Sequence, residues 1–447
     1  MRQNLLETYS RQLKVAEAYI SKNFDKSISR QTQLTTAVLL DNTNRFLTES
    51  LSTERANLGD WKKFCLNLTN LAVPSLIAND LVIVHPMTSY SGSVAYLKYV
   101  SLTDKGGIKA GDEFNSVFKL GDMGEDRRNF TSQVIVETLG TGATKPALTV
   151  AATGRFGGKG KDVKIIKKAG GDPEYKSAAD VNGQNAGLAE GDKIVYFSEE
   201  FQMERVPAKD IPTIGPKMEH IPLVAEPRRI AVRYDQITAY QAKTDYGFSL
   251  DKQIAEQACG ELAYEIDSEI VNMLKEGAGE ALPELTWSKD LPVGVSKFEH
   301  YNGFLEVIEQ ARAIIYNRTK KFHPNYMVVS SDCLPVLRFV NGFTAVKNPK
   351  MNGPYKVGEL DSLSIYVSPD MGNGEFFFGL NGSDMLSSAG VYAPYMAIVP
   401  TALLSTPDGG IAQGFSTWYA KALLNENLLV AGKIIGGIDK TRPVESK

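Results

Sequence analysis

Seven apolar residues at a strict four-residue step, Leu250, Ile254, Ala258, Leu262, Ile266, Ile270 and Leu274, constrain this chain more than any other feature of it. Such a stripe reads as one amphipathic helix. Ser249 supplies an N-cap, Asp251 an acidic first turn and Gly277 a C-terminal stop, so the expected helix covers 249–276. At ~1.5 Å per residue it is about 40 Å long, unusual for a compact enzyme domain. A four-residue step drifts on a 3.6-residue helix, so the stripe must cross several neighbours in turn.

The remaining elements are mixed. Leu5, Tyr9, Leu13, Ala16 and Ile20 predict an amphipathic helix at the start, and Leu39, Leu40, Phe46 and Leu47 a weaker one over about 33–49. This front end either docks on another molecule or packs on its own domain; the residues leave both open. Leu81 to Met87 reads as a buried strand stopped by Pro86, and Val94 to Val100 as another. From 106 to 216 the composition shifts to Gly, Lys, Asp and Thr around strand islands at 133–136, 148–150, 163–166 and 194–197, which indicates a small β-rich subdomain or long loops. A helix over about 302–319 precedes strands at 326–329, 363–367, 375–380 and 392–399. Helices and strands do not alternate regularly, so the class is α+β.

Chemistry is sparse. Lys plus Arg total 49 against 52 Asp plus Glu, a net charge of −3 that argues against a dedicated nucleic-acid binder. Cys65, Cys259 and Cys333 are odd in number and far apart, so no disulfide framework is expected. No run approaches the ~20 apolar residues that span a bilayer, and the expectation is a soluble protein of a reducing compartment. His85, His220, His300 and His323 lack metal-ligand spacing, and neither a metal nor a cofactor is expected. The cluster Gly154–Lys161 imitates a phosphate loop, but its spacing is off by one and Asp162 stands where Ser or Thr should hold magnesium. Glu256, Glu261, Glu265 and Glu269 form a polar face on the long helix. They are candidate acids for catalysis, although such a run usually marks a solvated or intersubunit face. An enzyme reading would predict a small oligomer whose activity is lost on Glu265→Gln.

One segment carries a resemblance: Val73-Pro74-Ser75-Leu76-Ile77-Ala78-Asn79-Asp80, the run Leu81 to Val84, then His85-Pro86-Met87-Thr88. It resembles the Pro-X-Leu-Ile-Ala, acidic residue, apolar run, Gln-Pro-Met signature of major capsid proteins of T-even-like tailed bacteriophages, with His85 replacing the usual Gln. Ala37 to Asn42 with Arg45-Phe46-Leu47-Thr48-Glu49 is similar to that family's N-terminal segment. Ser388-Ala389-Gly390-Val391-Tyr392-Ala393-Pro394-Tyr395 is similar to its Gly-X-Tyr-Ala-Pro-Tyr motif.

The resemblance implies a Hong Kong 97-type capsid fold. Its parts would be an N-terminal arm over 1–72, helical then extended, and a peripheral domain over 73–105 and 217–319 with the spine helix at 249–276. An extended loop would carry an insertion domain over 106–216; an axial domain would occupy 320–410, and 411–447 would return to the peripheral domain. The implied function is self-assembly into hexamers, with pentamers at vertices, of an icosahedral shell around double-stranded DNA. A vertex paralogue restricted to pentamers and an encapsulin-type shell are the alternatives. Implied partners are other copies, a scaffold protein, the portal, vertex or cement proteins and packaged DNA in non-specific proximity, with no membrane. The implied location is the virion, after assembly in a bacterial cytoplasm. The family's prohead protease commonly cuts after Leu/Ile-X-Glu, which Glu7 and Glu49 match, yet the expected state is an uncleaved arm.

Overall fold

The four-residue stripe forms a single helix, Leu250–Ala278, in the computed structural model of the chain. The structure describes residues 2–24, 29–50, 73, 76–102, 110–111, 134–138, 163–168, 174–182, 188–189, 191–197, 213–245, 247, 250–319, 321–346, 353–401, 404–405 and 410–436. The expected N-cap Ser249, the extended part of the arm over 51–72, the island 148–150, the loop Gly154–Lys161 and Cys65 lie outside these residues. The long helix buries Ala258, Leu262, Ile266, Ile270 and Leu274 as expected, plus a second file of Ala255, Cys259, Ala263, Asp267 and Val271. Two files side by side make a stripe wide enough to face more than one sheet.

Gly277 is not the stop that its position predicts. It lies inside the helix, where a Cβ would fall 2.8 Å from Leu423 Cδ1 and 3.1 Å from Leu429 Cδ1, so the glycine permits close packing. Gly279, at φ +72°, ends the helix in the left-handed region.

Residues 1–96 and 220–447 form one unit and 97–219 another. Among the described residues the first unit holds two large sheets. In the five-stranded sheet Ile83–Val84 pairs in parallel with Gly390–Pro400, which pairs with Gly410–Leu423. Glu226–Asp235 and Leu404–Ser405 both join Gly410–Leu423. Ala255, Ala258, Cys259 and Leu262 of the long helix pack on Ile398 and Phe415 of this sheet. The seven-stranded sheet runs in the order Thr344–Ala345, Tyr355–Leu360, Leu363–Ser368, Tyr326–Ser330, Glu375–Gly379, Val430–Ile435, Thr286–Ser288. Helix Phe304–Thr319 covers it, and Phe304, Phe376 and Phe378 stack edge-on at 5.6 and 5.7 Å between ring centroids. Each fully buried aromatic contributes about 2–3 kcal/mol here.

The sheets do not divide the chain at the linear boundaries 319, 410 and 411. Residues 286–319, expected with the peripheral part, pack on the seven-stranded sheet. Gly390–Pro400, expected in the axial part, is central in the five-stranded sheet, and Val430–Ile435 returns to the seven-stranded one. Strand partners are chosen by hydrogen-bond register, which linear order does not record. Leu81 to Met87 also differs from a plain strand. Ala78–Leu81 is a helical turn, and the ladder begins only at Ile83–Val84.

The second unit holds a four-stranded sheet in the order Val134–Thr138, Lys193–Phe197, Val163–Ile166, Glu174–Lys176. Its core is Val163, Ile165, Val181, Ile194 and Tyr196. The unit begins nine residues before and ends three residues after the 106–216 stretch marked out by composition.

The hairpin joining Tyr355–Leu360 to Leu363–Ser368 turns through Asp361 (φ 46°) and Ser362 (φ 64°). Two left-handed central residues make this a type I′ turn without its usual glycine. Arg312 clamps it, donating to Asp361 Oδ2 at 2.6 Å and to the Asp361 carbonyl at 2.5 Å. Ser362→Gly relieves the left-handed strain and should stabilise the chain by roughly 0.5–1 kcal/mol. A rise of about 1–2 °C in the thermal midpoint checks this, and an unchanged midpoint would show the turn to be unstrained.

Candidate functional site

The three sequence segments that carry the resemblance meet in one place. Arm helix Arg30–Ser50 lays Leu39 against Val73 and Ala397, and Leu47 against Met396 and Val399. The arm thus packs on its own unit, one of the two alternatives open from sequence. Asn42, nearly buried, donates through Nδ2 to the Met87 carbonyl at 2.8 Å and the Tyr395 carbonyl at 2.7 Å. The extended chain after Val84 continues the ladder, with His85 N–H to the Tyr392 carbonyl and Met87 N–H to the Pro394 carbonyl, both 2.9 Å. One amide therefore closes a junction between the arm, the His-Pro-Met segment and the Ala-Pro-Tyr segment. Asp267 supports it from the long helix: its Oδ1 accepts the Ala78 N–H at 3.0 Å, capping a turn that has no side-chain cap of its own. Asp267 falls off the four-residue stripe and so carries no signal in the sequence pattern. It lies four residues after Ala263 and four before Val271, on their buried face.

The candidate carboxylates separate into two kinds. Glu256, Glu261 and Glu265 are exposed on the helix surface. Glu269 instead accepts a bidentate pair from Arg228, Nε–Oε1 2.8 Å and Nη2–Oε2 3.1 Å, and a third contact from Lys421 Nζ at 3.1 Å. Burial alone would push its carboxyl up, but the hydrogen bonds from Arg228 and Lys421 outweigh that and hold it at about 2. The Arg228 guanidinium also lies 5.3 Å above the Tyr419 ring. Further along, Tyr264 and Ser268 donate to the two oxygens of Asp370 at 2.7 and 2.5 Å, and Lys275 pairs with Glu375 at 2.5 Å. The long helix is thus fastened to the five-stranded sheet through Glu269 and to the loop and strand around 370–375 through Tyr264, Ser268 and Lys275.

Burial pushes the Cys259 thiol up to about 12 and the Cys333 thiol up to about 11, so both stay protonated near neutrality. His85 lies at the junction, His300 stacks on Trp287 and His323 on Tyr316, while His220 is exposed on a strand. Among the described residues no three or more His, Cys, Asp or Glu side chains gather as a metal site.

A different surface carries information of another kind. Strands Ser91–Ser101 and Ile214–Val224 pair with each other alone among the described residues. Ala225 N–H bonds the Tyr90 carbonyl at one end and Leu102 N–H the Thr213 carbonyl at the other, so the strands run antiparallel. Exposure alternates along them: Leu97, Tyr99, Ile214, Pro216 and Met218 are all open to solvent, whereas Val100 and Gly215 on the other face are buried. Isolated two-stranded ribbons are marginal in water, and this one presents a solvent-exposed apolar stripe that no other described residue covers.

Removing the junction amide by Asn42→Ala leaves two inward carbonyls without their donor, at a cost of about 2–3 kcal/mol. Lower thermal stability together with faster protease nicking between residues 25 and 50 is the expected result. Glu269 has a folded pKa far below its ordinary 4.5, so its contribution is complete above about pH 4.5 and is lost as pH falls toward 2. Wild type should therefore exceed Glu269→Gln by about 1–3 kcal/mol at pH 7, and the gap should close between pH 5 and 2 in unfolding titrations.

The family model described as Major capsid protein Gp23 matches residues 58–442. The match takes in the His-Pro-Met and Ala-Pro-Tyr segments and starts beyond the arm segment 37–49. The major capsid protein of Escherichia phage AR1 is 22% identical over 387 residues, covering 79% of this chain and 73% of that protein. That of Enterobacteria phage T4 is 22% identical over 400 residues with the same coverages. Among solved structures, a Microbacterium phage Oxtober96 chain aligns at TM-score 0.39 and 10% identity over 80% of this chain and 91% of its own. An encapsulin complex of Synechococcus elongatus aligns at TM-score 0.32 and 9% identity over 50% and 77%. With the family match spanning most of its length, from the end of the arm through both sheets and the long helix, this chain belongs to the Gp23 family of phage major capsid proteins.

Proposed function

We propose that the chain builds the icosahedral head shell of a tailed phage, as hexamers across the facets and pentamers at vertices. The observation that carries this reading is the solvent-facing apolar stripe on the hairpin, Leu97, Tyr99, Ile214, Pro216 and Met218. A lone subunit gains nothing from such a surface, and a lattice of copies covers it. Each contact can be modest, because every subunit has several neighbours and the contacts multiply in effect.

On this reading the five-stranded sheet with the long helix is the peripheral domain. The seven-stranded sheet is the axial domain, the hairpin is the extended loop, and the unit Leu97–Glu219 is its insertion. The chain acts as a structural subunit and not as an enzyme, since the half-buried Glu269 of the long helix is consumed in ion pairs. Scaffold, portal, vertex or cement proteins and non-specifically contained DNA are its further partners, and assembly takes place in the host cytoplasm. The near-neutral charge suits a wall that encloses DNA without gripping it. The arm stays uncleaved: Leu47 is buried within the arm helix that ends at Ser50, so the Leu-Thr-Glu sequence is not offered as extended chain.

Sedimentation velocity with electron microscopy of the full chain, expressed with its neighbouring phage genes, tests the proposal. Closed shells, tubes or sheets of hexamers are expected, and a stable monomer or dimer under those conditions would overturn it. Met218→Asp and Leu97→Asp should abolish closed shells while leaving subunit unfolding within about 0.5 kcal/mol of wild type, as exposed positions do.

A further inference from the structure

The loop between strand Thr286–Ser288 and helix Lys297–Asn302 is a second apolar feature left uncovered by the described residues, and it has a definite shape. Every residue from Asp290 to Glu299 is exposed, including Leu291, Val295 and Phe298, and Val293 is exposed at 105%. Such a loop is normally polar. Both ends are pinned. Lys289 N–H bonds the Ile435 carbonyl at 2.7 Å, and Ser296 and Glu299 form a reciprocal capping box at the start of the helix. At the tip Val295 N–H returns to the Pro292 carbonyl at 3.3 Å, with Gly294 at φ +89°, which is the geometry of a type II turn. Val293 is therefore held out at the corner of a pre-formed turn, an arrangement that lowers the ordering cost of binding.

Beside the loop lies an open groove of about 380 Å³. Its floor is Trp287, with His300 stacked on it at 4.8 Å and 23° and held by donation from Nε2 to the Ser288 carbonyl at 2.9 Å. Its rim carries Glu284, Glu299 and Glu306. Lys289 and Lys297 stand on either side of the apolar tip with the opposite charge, while the Asp290 carboxylate turns back to Ser288.

We infer that this loop and this groove are the two halves of a head-to-tail contact between neighbouring copies of the chain. The Leu291–Val295 tip of one copy sits over Trp287 of the next, and Lys289 and Lys297 face the glutamates of the rim. The contact is heterologous, two different patches meeting, which is the kind that closes into a ring. The apolar tip supplies the binding energy, and the flanking charges supply register and encounter rate. This inference rests on the shell reading, since it names one of the contacts by which copies join.

The test uses the full chain under conditions in which wild type forms shells. Val293→Asp changes a side chain with no packing of its own, so its thermal midpoint should match wild type. The concentration needed for assembly should rise at least about tenfold. The loop reversal Lys289→Glu with Lys297→Glu, and the groove reversal Glu284→Lys with Glu306→Lys, should each impair assembly as strongly. Combining all four restores opposite charges across the contact and should recover assembly to within about threefold of wild type. Normal assembly by Val293→Asp and by each reversal would overturn the inference and leave the shell reading standing. Impairment without recovery in the fourfold variant would show that the groove is not the loop's partner. Failure of wild type itself to assemble would instead count against the shell reading.

Discussion

The wide buried stripe of the helix Leu250–Ala278 is the constraint on which the rest of the subunit depends. A helix that presents one file of apolar residues can serve one neighbour. This helix presents two files, so the five-stranded sheet, the turn at Ala78–Leu81 and the strands that follow it can all be fitted around one rod. Its polar contacts then fix where along the rod each neighbour sits. Asp267 holds the Ala78 turn, Glu269 holds Arg228 and Lys421 on two strands, and Lys275 holds Glu375. Apolar contact is indifferent to small sliding, whereas a bidentate carboxylate–guanidinium pair is not. The rod supplies cohesion, and the three charged contacts supply registration.

Much of this was legible from the chain because it is local. The helix Leu250–Ala278 follows from periodicity, and the strands Val163–Ile166, Tyr326–Ser330 and Leu363–Ser368 follow from short apolar runs between turn residues. What could not be read was non-local. The strand Val430–Ile435 looks no different from Gly410–Leu423 in composition, yet the two enter different sheets, because Phe376 and Phe378 offer one of them its ladder and the Ala-Pro-Tyr strand offers the other its own. The site divides the same way. The motif segments were visible as words, but their meeting through Asn42 depends on a side chain whose two acceptors are main-chain carbonyls, and carbonyls leave no mark in a sequence.

The glutamates show how a correct pattern can point to the wrong chemistry. Four acids at helical spacing define a polar face, and the sequence cannot tell which of them will meet a cation. Glu269 meets two, because Arg228 and Lys421 stand on strands placed opposite it only by the register of Gly410–Leu423 with Glu226–Asp235. A group held ionised to so low a pH is a fastening and a poor proton shuttle. The same logic separates Cys259 and Cys333 from reactive thiols, since burial keeps both neutral.

The junction closed by Asn42 also sets a clock. Its second acceptor, the Tyr395 carbonyl, lies 353 residues farther along the chain. Synthesis at about 5–20 residues per second separates the two by roughly 18–70 s on the ribosome. Throughout that interval the face of the arm helix that carries Leu39 and Leu47 lacks its native cover, and the strand Ile83–Val84 lacks its parallel partner. Nascent chains on one message, each trailing an uncovered apolar helix, are the population most exposed to wrong pairing. Completion of the subunit and burial of that helix coincide, so a finished chain reaches its neighbours with the arm already stowed.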